Sequence, residues 1–209
     1  MKTTLAASLL ALAVAGAGYA RAQDNGGSAL ALGAKAPAAS TKLKNSVDGK
    51  EVSIASTAGK SGTLVVFTCL ECPYAKAWEQ RIVELGNTYS KKGVGVLLIN
   101  SNNPSISKKD TIEATQARAK ERGVQFAYAV DPTSSVAKAF GASRTPEAFL
   151  FDKGGKLVYH GTVDDNHEEA DKVSKRYLKD ALDAVSAGKT PAVQETKSLG
   201  CSIKFAKVS

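Results

Sequence analysis

Hydrophobic residues in this chain occur in short continuous runs and in helical spacings, and the two patterns alternate. The runs Thr63–Phe67 and Val94–Asn100 are apolar and rich in β-branched residues, which predicts strands buried on both faces. Between the two runs, apolar residues recur three and four positions apart, which predicts a helix with one buried face. These residues are Ala75, Trp78, Ile82, Leu85 and Tyr89. The core therefore begins as strand, helix and strand.

The remaining patterns extend this order of elements. An Asp48–Gly49 turn between two short strand-like stretches predicts a hairpin ahead of the first buried strand. The further predicted elements are a helix capped by Asp110 and Glu113, a strand at 126–130, a short helix capped by Asp131, strands at 148–151 and 157–159, and a long helix at 168–187. Residues 191–209 show no clear element. Alternating strands and helices predict an α/β sandwich, with a central mixed β-sheet flanked by helices.

The first residues carry the features of an export signal. Lys2 precedes an apolar run at 5–17, which is followed by Ala20–Arg21–Ala22. A charged start, a short apolar stretch and a small-residue cleavage site are typical of a secretory signal peptide, and the run is short for a membrane-spanning helix. We therefore predict a signal peptide at 1–22, a flexible leader at 23–32 and one domain at 33–209. The predicted location is periplasmic or secreted.

Charge adds little to this interpretation. The net charge of +8 is typical of some nucleic-acid-binding proteins, but the lysines are scattered and interleaved with acidic residues, as at 168–180. Such a distribution is typical of a solvated surface. We therefore expect no nucleic-acid partner, no membrane contact after signal cleavage, and a monomer.

A cysteine pair lies where the first buried strand meets the helix. Cys69 and Cys72 form a C-x-x-C directly before Pro73. Unpaired N–H groups and the helix dipole favour an anion at a helix N-terminus, which lowers a thiol pKa and supplies the reactive thiolate. We expect Cys69 to lie nearer the helix start and to be the more exposed sulfur. On that basis Cys69 attacks a substrate disulfide, and Cys72 resolves the mixed disulfide.

Structural explanations of the cysteine pair are weaker. A disulfide across so short a loop removes little chain entropy, so stability does not account for the pair. Half a zinc site needs a second pair of ligands, and Cys201, His160 and His167 form no closely spaced pair. We therefore predict no metal and no cofactor. Cys201 has three open interpretations, as a partner for another chain, a resolving thiol or a small packed hydrophobe, and we favour packing.

Two further features accompany the pair. Glu71 lies between the cysteines, and a carboxylate there opposes thiolate formation. This predicts a reductant, or a disulfide exchanger of intermediate reduction potential, rather than a strong oxidant. An exposed, screened glutamate is an equally good interpretation of the same residue. Thr145–Pro146 precedes a strand, and a cis bond there would place the Thr145 backbone beside the sulfurs to pair with an extended substrate. From local sequence alone an ordinary trans turn is the better expectation.

The order of elements around the C-x-x-C resembles the thioredoxin fold. The segment Phe67–Tyr74 is similar to the F-x-C-x-x-C-P-[YF] motif of redoxins that are called peroxiredoxin-like or AhpC/TSA-type thioredoxin family proteins. Further matching segments are Val130–Pro132, Thr145–Glu147, Gly161–Asn166 and Gly200–Lys204. The resemblance covers about 33–205. It implies a thioredoxin-like sheet, a cis peptide at Thr145–Pro146 and dithiol–disulfide chemistry at Cys69 and Cys72.

The chain also departs from these relatives. Unlike thioredoxin, it has proline after the second cysteine, and no acidic residue lies in the strand before the pair. The peroxiredoxin pattern P-x-x-x-T-x-x-C is not met by counting back from either cysteine. The leading hypothesis is thus an exported thiol–disulfide oxidoreductase that acts on protein or small-molecule disulfides and uses an unidentified thiol electron donor. The alternatives are a thiol peroxidase, a Cu(I) metallochaperone assisted by His160 or His167, and a non-catalytic binding module.

Overall fold

A computed structural model of the chain describes residues 29–206, and a seven-stranded sheet forms its centre. The strands are β1 (Leu43–Asn45), β2 (Glu51–Val52), β3 (Gly62–Thr68), β4 (Val94–Asn100), β5 (Ala127–Val130), β6 (Arg144–Thr145), β7 (Glu147–Asp152), β8 (Leu157–Gly161) and β9 (Cys201–Ser202). The helices are α1 (Pro73–Ser90), α2 (Ile112–Glu121), α3 (Ser135–Phe140) and α4 (Tyr177–Ser186), with a 3₁₀ turn at Ala170–Lys172. The strand order in the main sheet is β2-β1-β5-β4-β3-β7-β8.

Strand β3 lies inside the sheet, parallel to β4 and antiparallel to β7. All seven of its residues are buried, which explains why its sequence is a continuous apolar run rather than an alternating one. Successive side chains point to opposite faces of the sheet. Leu64 and Val66 therefore join the cluster packed by α1 and α4, whereas Val65 and Phe67 join the cluster packed by α3. The mixed α/β architecture predicted from the sequence is confirmed.

Most predicted elements occur at their predicted positions, including the hairpin formed by β1 and β2. The long helix predicted at 168–187 is wrong, because α4 begins only at Tyr177. Asp165 explains why the helix starts later, since its carboxylate accepts hydrogen bonds from the backbone N–H groups of Ser174 and Lys175 at 3.0 Å. These bonds hold the preceding stretch in a loop, and Val173 is extended.

The two ends of the described chain pack on the domain. Leu30 N–H donates to the Phe140 carbonyl at 2.9 Å, so Leu30, within the predicted flexible leader, contacts the fold. At the other end, β9 pairs with β6 in a two-stranded antiparallel sheet where no element was predicted. The predicted signal peptide lies outside the described residues. Among residues 29–206, no helix combines the length and apolar character needed to cross a bilayer.

Candidate active site

The cysteine pair lies in the short connection between β3 and α1. Strand β3 ends at Thr68, and α1 begins at Pro73, so Cys72 is the residue that caps the helix N-terminus. Proline suits this first helical position because its missing N–H would have no intrahelical partner. The expectation that Cys69 lies nearer the helix start is therefore wrong. The expected difference in exposure is also absent, since Cys69 is 5% and Cys72 3% exposed.

Both sulfurs contact the residue before Pro146. The Thr145–Pro146 peptide bond is cis, as the family resemblance implied. Cys69 Sγ lies 3.2 Å from Thr145 Oγ1, and Cys72 Sγ lies 3.0 Å from the Thr145 carbonyl oxygen. The structure thus brings together four of the predicted site residues, Cys69, Cys72, Thr145 and Pro146, although 73 positions or more separate the cysteines from Thr145.

The pKa values of the two thiols shift in opposite directions. The hydrogen bond from the Cys69 thiol, aided by those from Cys201, lowers the pKa of Cys72 to about 4 despite burial. The same Cys69–Cys72 hydrogen bond, together with burial, raises the pKa of Cys69. The Thr145 carbonyl accepts from the Cys72 thiol and favours its protonated form, whereas Cys201 N–H donates to Cys72 Sγ and favours the thiolate. The lowered pKa of Cys72 indicates that Cys72, rather than Cys69, carries the negative charge of the dithiol state.

The third cysteine lies against the pair. Cys201 N–H donates to Cys72 Sγ at 3.3 Å, and Cys201 packs with Cys69, Cys72 and Ala75 in one small cluster. Cys201 is half-buried in this cluster. Desolvation, with the charge and hydrogen bond of Cys72, raises the pKa of Cys201 to about 11. All three cysteines are free thiols in this structure.

A buried carboxylate supports the loop that carries the cysteines, and sequence reasoning missed this role. Asp110 was predicted to cap α2, but Thr111 is the cap residue, and its side chain accepts from Ala114 N–H. Asp110 points instead toward the C-x-x-C loop and accepts from Leu70 N–H at 2.7 Å. Its charge also contributes to raising the pKa of Cys69. Its 40-residue separation from Leu70 left no local signal for this contact.

The carboxylate expected to tune the cysteines points outward. Glu71 is paired with Lys109 at 3.3 Å and Lys76 at 3.5 Å. The two lysines lower the pKa of Glu71 and offset its charge. The arrangement agrees with the screened-glutamate interpretation, and a tuning role for Glu71 stays a prediction.

The two histidines are bound to other side chains. His160 Nε2 lies 2.7 Å from Glu147 Oε1, and its ring stacks on Phe149. The His167 ring packs against Tyr74 in a tilted arrangement, with the ring centroids 4.5 Å apart. Nowhere between residues 29 and 206 do three His, Cys, Asp or Glu side chains gather in an arrangement suited to a metal ion.

Comparisons with known proteins agree with this fold. Residues 31–176 match the model of the Redoxin family. An uncharacterized conserved protein from Geobacillus kaustophilus is 34% identical, and its crystal structure aligns with a TM-score of 0.80 over 86% of this chain and 94% of that one. The thiol-disulfide oxidoreductase ResA of Geobacillus thermodenitrificans is 27% identical over 65% of this chain and 72% of its own length.

A more distant structure shows the fold alone. The solution structure of a thioredoxin-like protein in the oxidized form is 18% identical and has a TM-score of 0.55, over 71% of this chain and 97% of that one. The sheet, the cis peptide beside two cysteines and the family match agree. The chain therefore belongs to the Redoxin family of thioredoxin-fold proteins, and its relatives support a redox function for it.

Proposed function

We propose that this protein is a thiol–disulfide oxidoreductase whose Cys69–Cys72 pair alternates between dithiol and disulfide. The observation that carries the proposal is the convergence of both sulfurs on Thr145, with hydrogen bonding that lowers the pKa of Cys72 to about 4. A thiolate at neutral pH is the nucleophile that disulfide exchange requires. The proposed substrates are protein or small-molecule disulfides, with an external thiol as electron donor.

The proposed roles of the two sulfurs are the reverse of the sequence expectation. Cys72 caps the helix and carries the charge of the dithiol state, so Cys72 attacks the substrate disulfide and forms the mixed disulfide. Cys69, which packs against Cys72 and contacts Thr145 through its Sγ, then attacks Cys72 Sγ and releases the substrate as a thiol. The raised pKa of Cys69 keeps it protonated until Cys72 has lost its charge.

A matched pair of single-cysteine variants tests these roles. Both carry Cys201→Ser, and one also carries Cys69→Ser whereas the other carries Cys72→Ser. We expect the variant that keeps Cys72 to form a mixed disulfide with oxidised glutathione faster at neutral pH, as measured by intact mass after acid quenching. Faster reaction of the variant that keeps Cys69 would reverse the roles. No mixed disulfide in either variant, and no disulfide in the wild type, would refute the oxidoreductase proposal.

The rate at which hydrogen peroxide oxidises the protein tests the peroxidase alternative. Reduced wild-type protein is mixed rapidly with hydrogen peroxide, and the loss of thiols is followed in time. We expect oxidation no faster than that of a free thiol, because the chain lacks the peroxiredoxin pattern around either cysteine. Much faster oxidation would favour the peroxidase.

An extracytoplasmic location is part of the proposal and rests on the leader sequence. The charged start, short apolar run and Ala20–Arg21–Ala22 triplet support cleavage after Ala22. Mass spectrometry of the full-length gene product, expressed with its leader and recovered from the cell exterior or periplasm, is expected to show Gln23 as the first residue. Recovery of the uncleaved chain from the cytoplasm would contradict export.

A further inference from the structure

The C-terminal segment, defined as residues 193–206, covers the edge of the active site. Its strand β9 pairs with β6 in the register Thr145↔Cys201 and Arg144↔Ser202, directly before the cis peptide. The approach is close, because a Cβ on Gly200 would lie 2.2 Å from the Thr145 carbonyl oxygen. The segment therefore occupies the backbone edge beside both sulfurs.

Contacts on both sides of β9 hold the segment in place. Before the strand, Thr196 N–H donates to the His160 carbonyl at 3.0 Å. After the strand, Ile203 is buried, and Lys204 N–H donates to Asn102 Oδ1 at 2.8 Å. The segment is thus an ordered part of the site. While it packs against Thr145, Cys69 and Cys72 are only 5% and 3% exposed.

Cys201 is the most exposed of the three cysteines, and it packs against the buried pair. It is half-buried, in contrast to the fully buried pair, and its backbone N–H contacts Cys72 Sγ. We propose that Cys201 is a third redox-active cysteine, which takes the disulfide bond from the Cys69–Cys72 pair by bonding to Cys72 and exchanges it with an external dithiol. This inference rests on the proposed function, because it requires the Cys69–Cys72 disulfide.

The exchange is balanced in atoms and electrons. The Cys201 thiolate attacks Cys72 Sγ of the oxidised pair, so that the Cys72–Cys201 bond forms as the Cys69–Cys72 bond breaks. Cys69 leaves as a thiolate and takes up the proton that Cys201 lost. An external dithiol then attacks Cys201 Sγ and expels the Cys72 thiolate, and its second thiol releases Cys201. The dithiol becomes a disulfide, and the protein gains two electrons as free thiols.

The charges around the three sulfurs support this order of steps. The charge and hydrogen bond of Cys72 contribute to the raised pKa of Cys201, and both contributions disappear once Cys72 is bonded in a disulfide. Lys204 and Arg144 then act on Cys201 in the opposite direction, because their positive charges lower its pKa. In the last step Cys72 is the leaving group, and a thiol of low pKa leaves faster.

Disulfide mapping of the wild type tests the bond directly. Oxidised protein is partly reduced with dithiothreitol, quenched with acid, alkylated and digested without reduction. We expect a peptide that joins Cys72 to Cys201 to appear at intermediate times, alongside the Cys69–Cys72 peptide. Alkylated Cys201 at every time point, while the Cys69–Cys72 disulfide disappears, would overturn the proposal.

Two variants distinguish the sulfur of Cys201 from the cover that its strand provides. Cys201→Ser keeps the strand and removes the sulfur, and we expect it to slow reduction of the Cys69–Cys72 disulfide by dithiothreitol about tenfold or more, because access limits thiol exchange. Gly200→Ala keeps the sulfur and forces the strand away from Thr145. It is expected to react at least as fast as the wild type, and Cys201→Ser added to it is expected to have no further effect.

The outcomes separate this inference from the proposed function. Wild-type rates in Cys201→Ser, with the Cys69–Cys72 disulfide forming normally, would overturn the third-cysteine role and leave the oxidoreductase intact. Failure of the wild type and of Gly200→Ala to form a Cys69–Cys72 disulfide would instead refute the proposed function itself.

Discussion

The carboxylate of Asp110 offers the sharpest test of how the site is held together. It is 3% exposed and accepts four hydrogen bonds, two on each oxygen. The donors are Leu70 N at 2.7 Å and Asn100 Nδ2 at 3.1 Å on Oδ1, and Asn102 Nδ2 at 2.9 Å and Ser107 Oγ at 2.5 Å on Oδ2. Asp110→Asn replaces one of these oxygens with an amide group that donates.

The cost of this substitution follows from the hydrogen bonds. If the asparagine oxygen keeps the hydrogen bonds from Leu70 N–H and Asn100 Nδ2, the asparagine NH₂ group faces Asn102 Nδ2 and Ser107 Oγ, which donated to the other carboxylate oxygen. A bond to a charged group contributes roughly 1.5–3 kcal/mol, so losing two predicts destabilisation of about 3–6 kcal/mol. Asn102 has no easy alternative orientation, because its own Oδ1 accepts Lys204 N–H from the C-terminal segment. The substitution is therefore expected to loosen that segment as well.

Urea unfolding of the reduced protein measures the loss of stability. Asp131→Asn is the matched control, because Asp131 is also buried and its carboxylate accepts backbone N–H bonds at the start of α3, including Val136 N at 2.9 Å. Both variants are expected to lose stability, but only Asp110→Asn is expected to speed reduction of the Cys69–Cys72 disulfide by dithiothreitol. A free energy of unfolding within about 0.5 kcal/mol of wild type for Asp110→Asn would show that the hydrogen bonds of this carboxylate do not stabilise the site.

Three further predictions follow from single contacts. Burial raises the pKa of Glu147, but hydrogen bonds from His160 and nearby backbone N–H groups lower it by more, so the pKa of Glu147 lies below its usual value. The stability that the ionised Glu147 contributes is therefore present above about pH 4.5 and lost as the pH falls. Urea unfolding at a series of pH values should show that Glu147→Gln loses less stability on acidification than the wild type. Gly86→Ala places a Cβ 2.2 Å from the Phe126 ring and should destabilise the protein by about 1–3 kcal/mol, read from its thermal unfolding. The ultraviolet thiolate absorbance of the reduced protein should titrate near the Cys72 pKa of about 4, and a transition only near the pKa of an ordinary thiol would contradict the charge assignment.

The parts of the fold that the sequence predicted well are those specified by neighbouring residues. β3 and α1 are marked by a buried apolar run and a helical spacing of core residues, and Pro73 marks the junction that contains the cysteines. The hairpin turn is likewise local, because Gly49 has a φ of +74°, which glycine adopts without strain. Local signals of this kind are sufficient to place the cysteine pair at the start of a helix.

The parts that the sequence missed depend on contacts between distant residues. The C-terminal segment has no periodic pattern because one short strand and a few backbone bonds hold it to Thr145 and Asn102. The start of α4 is set by Asp165, whose carboxylate competes with helix formation for the N–H groups of residues 174 and 175. The order of the two sulfurs was misjudged for a different reason. Pro73 is a local signal, because proline favours the first position of a helix, and it places Cys72 rather than Cys69 at the helix start.

Redox equilibration of the wild type shows whether the site exchanges a disulfide at all. The protein is brought to equilibrium in a series of glutathione buffers of increasing oxidising strength, quenched with acid, alkylated, and weighed by mass spectrometry. We expect one two-electron transition, in which three alkylated cysteines fall to one because two of the three free thiols become a disulfide. Three alkylated cysteines in every buffer would contradict the claim that this site exchanges disulfides.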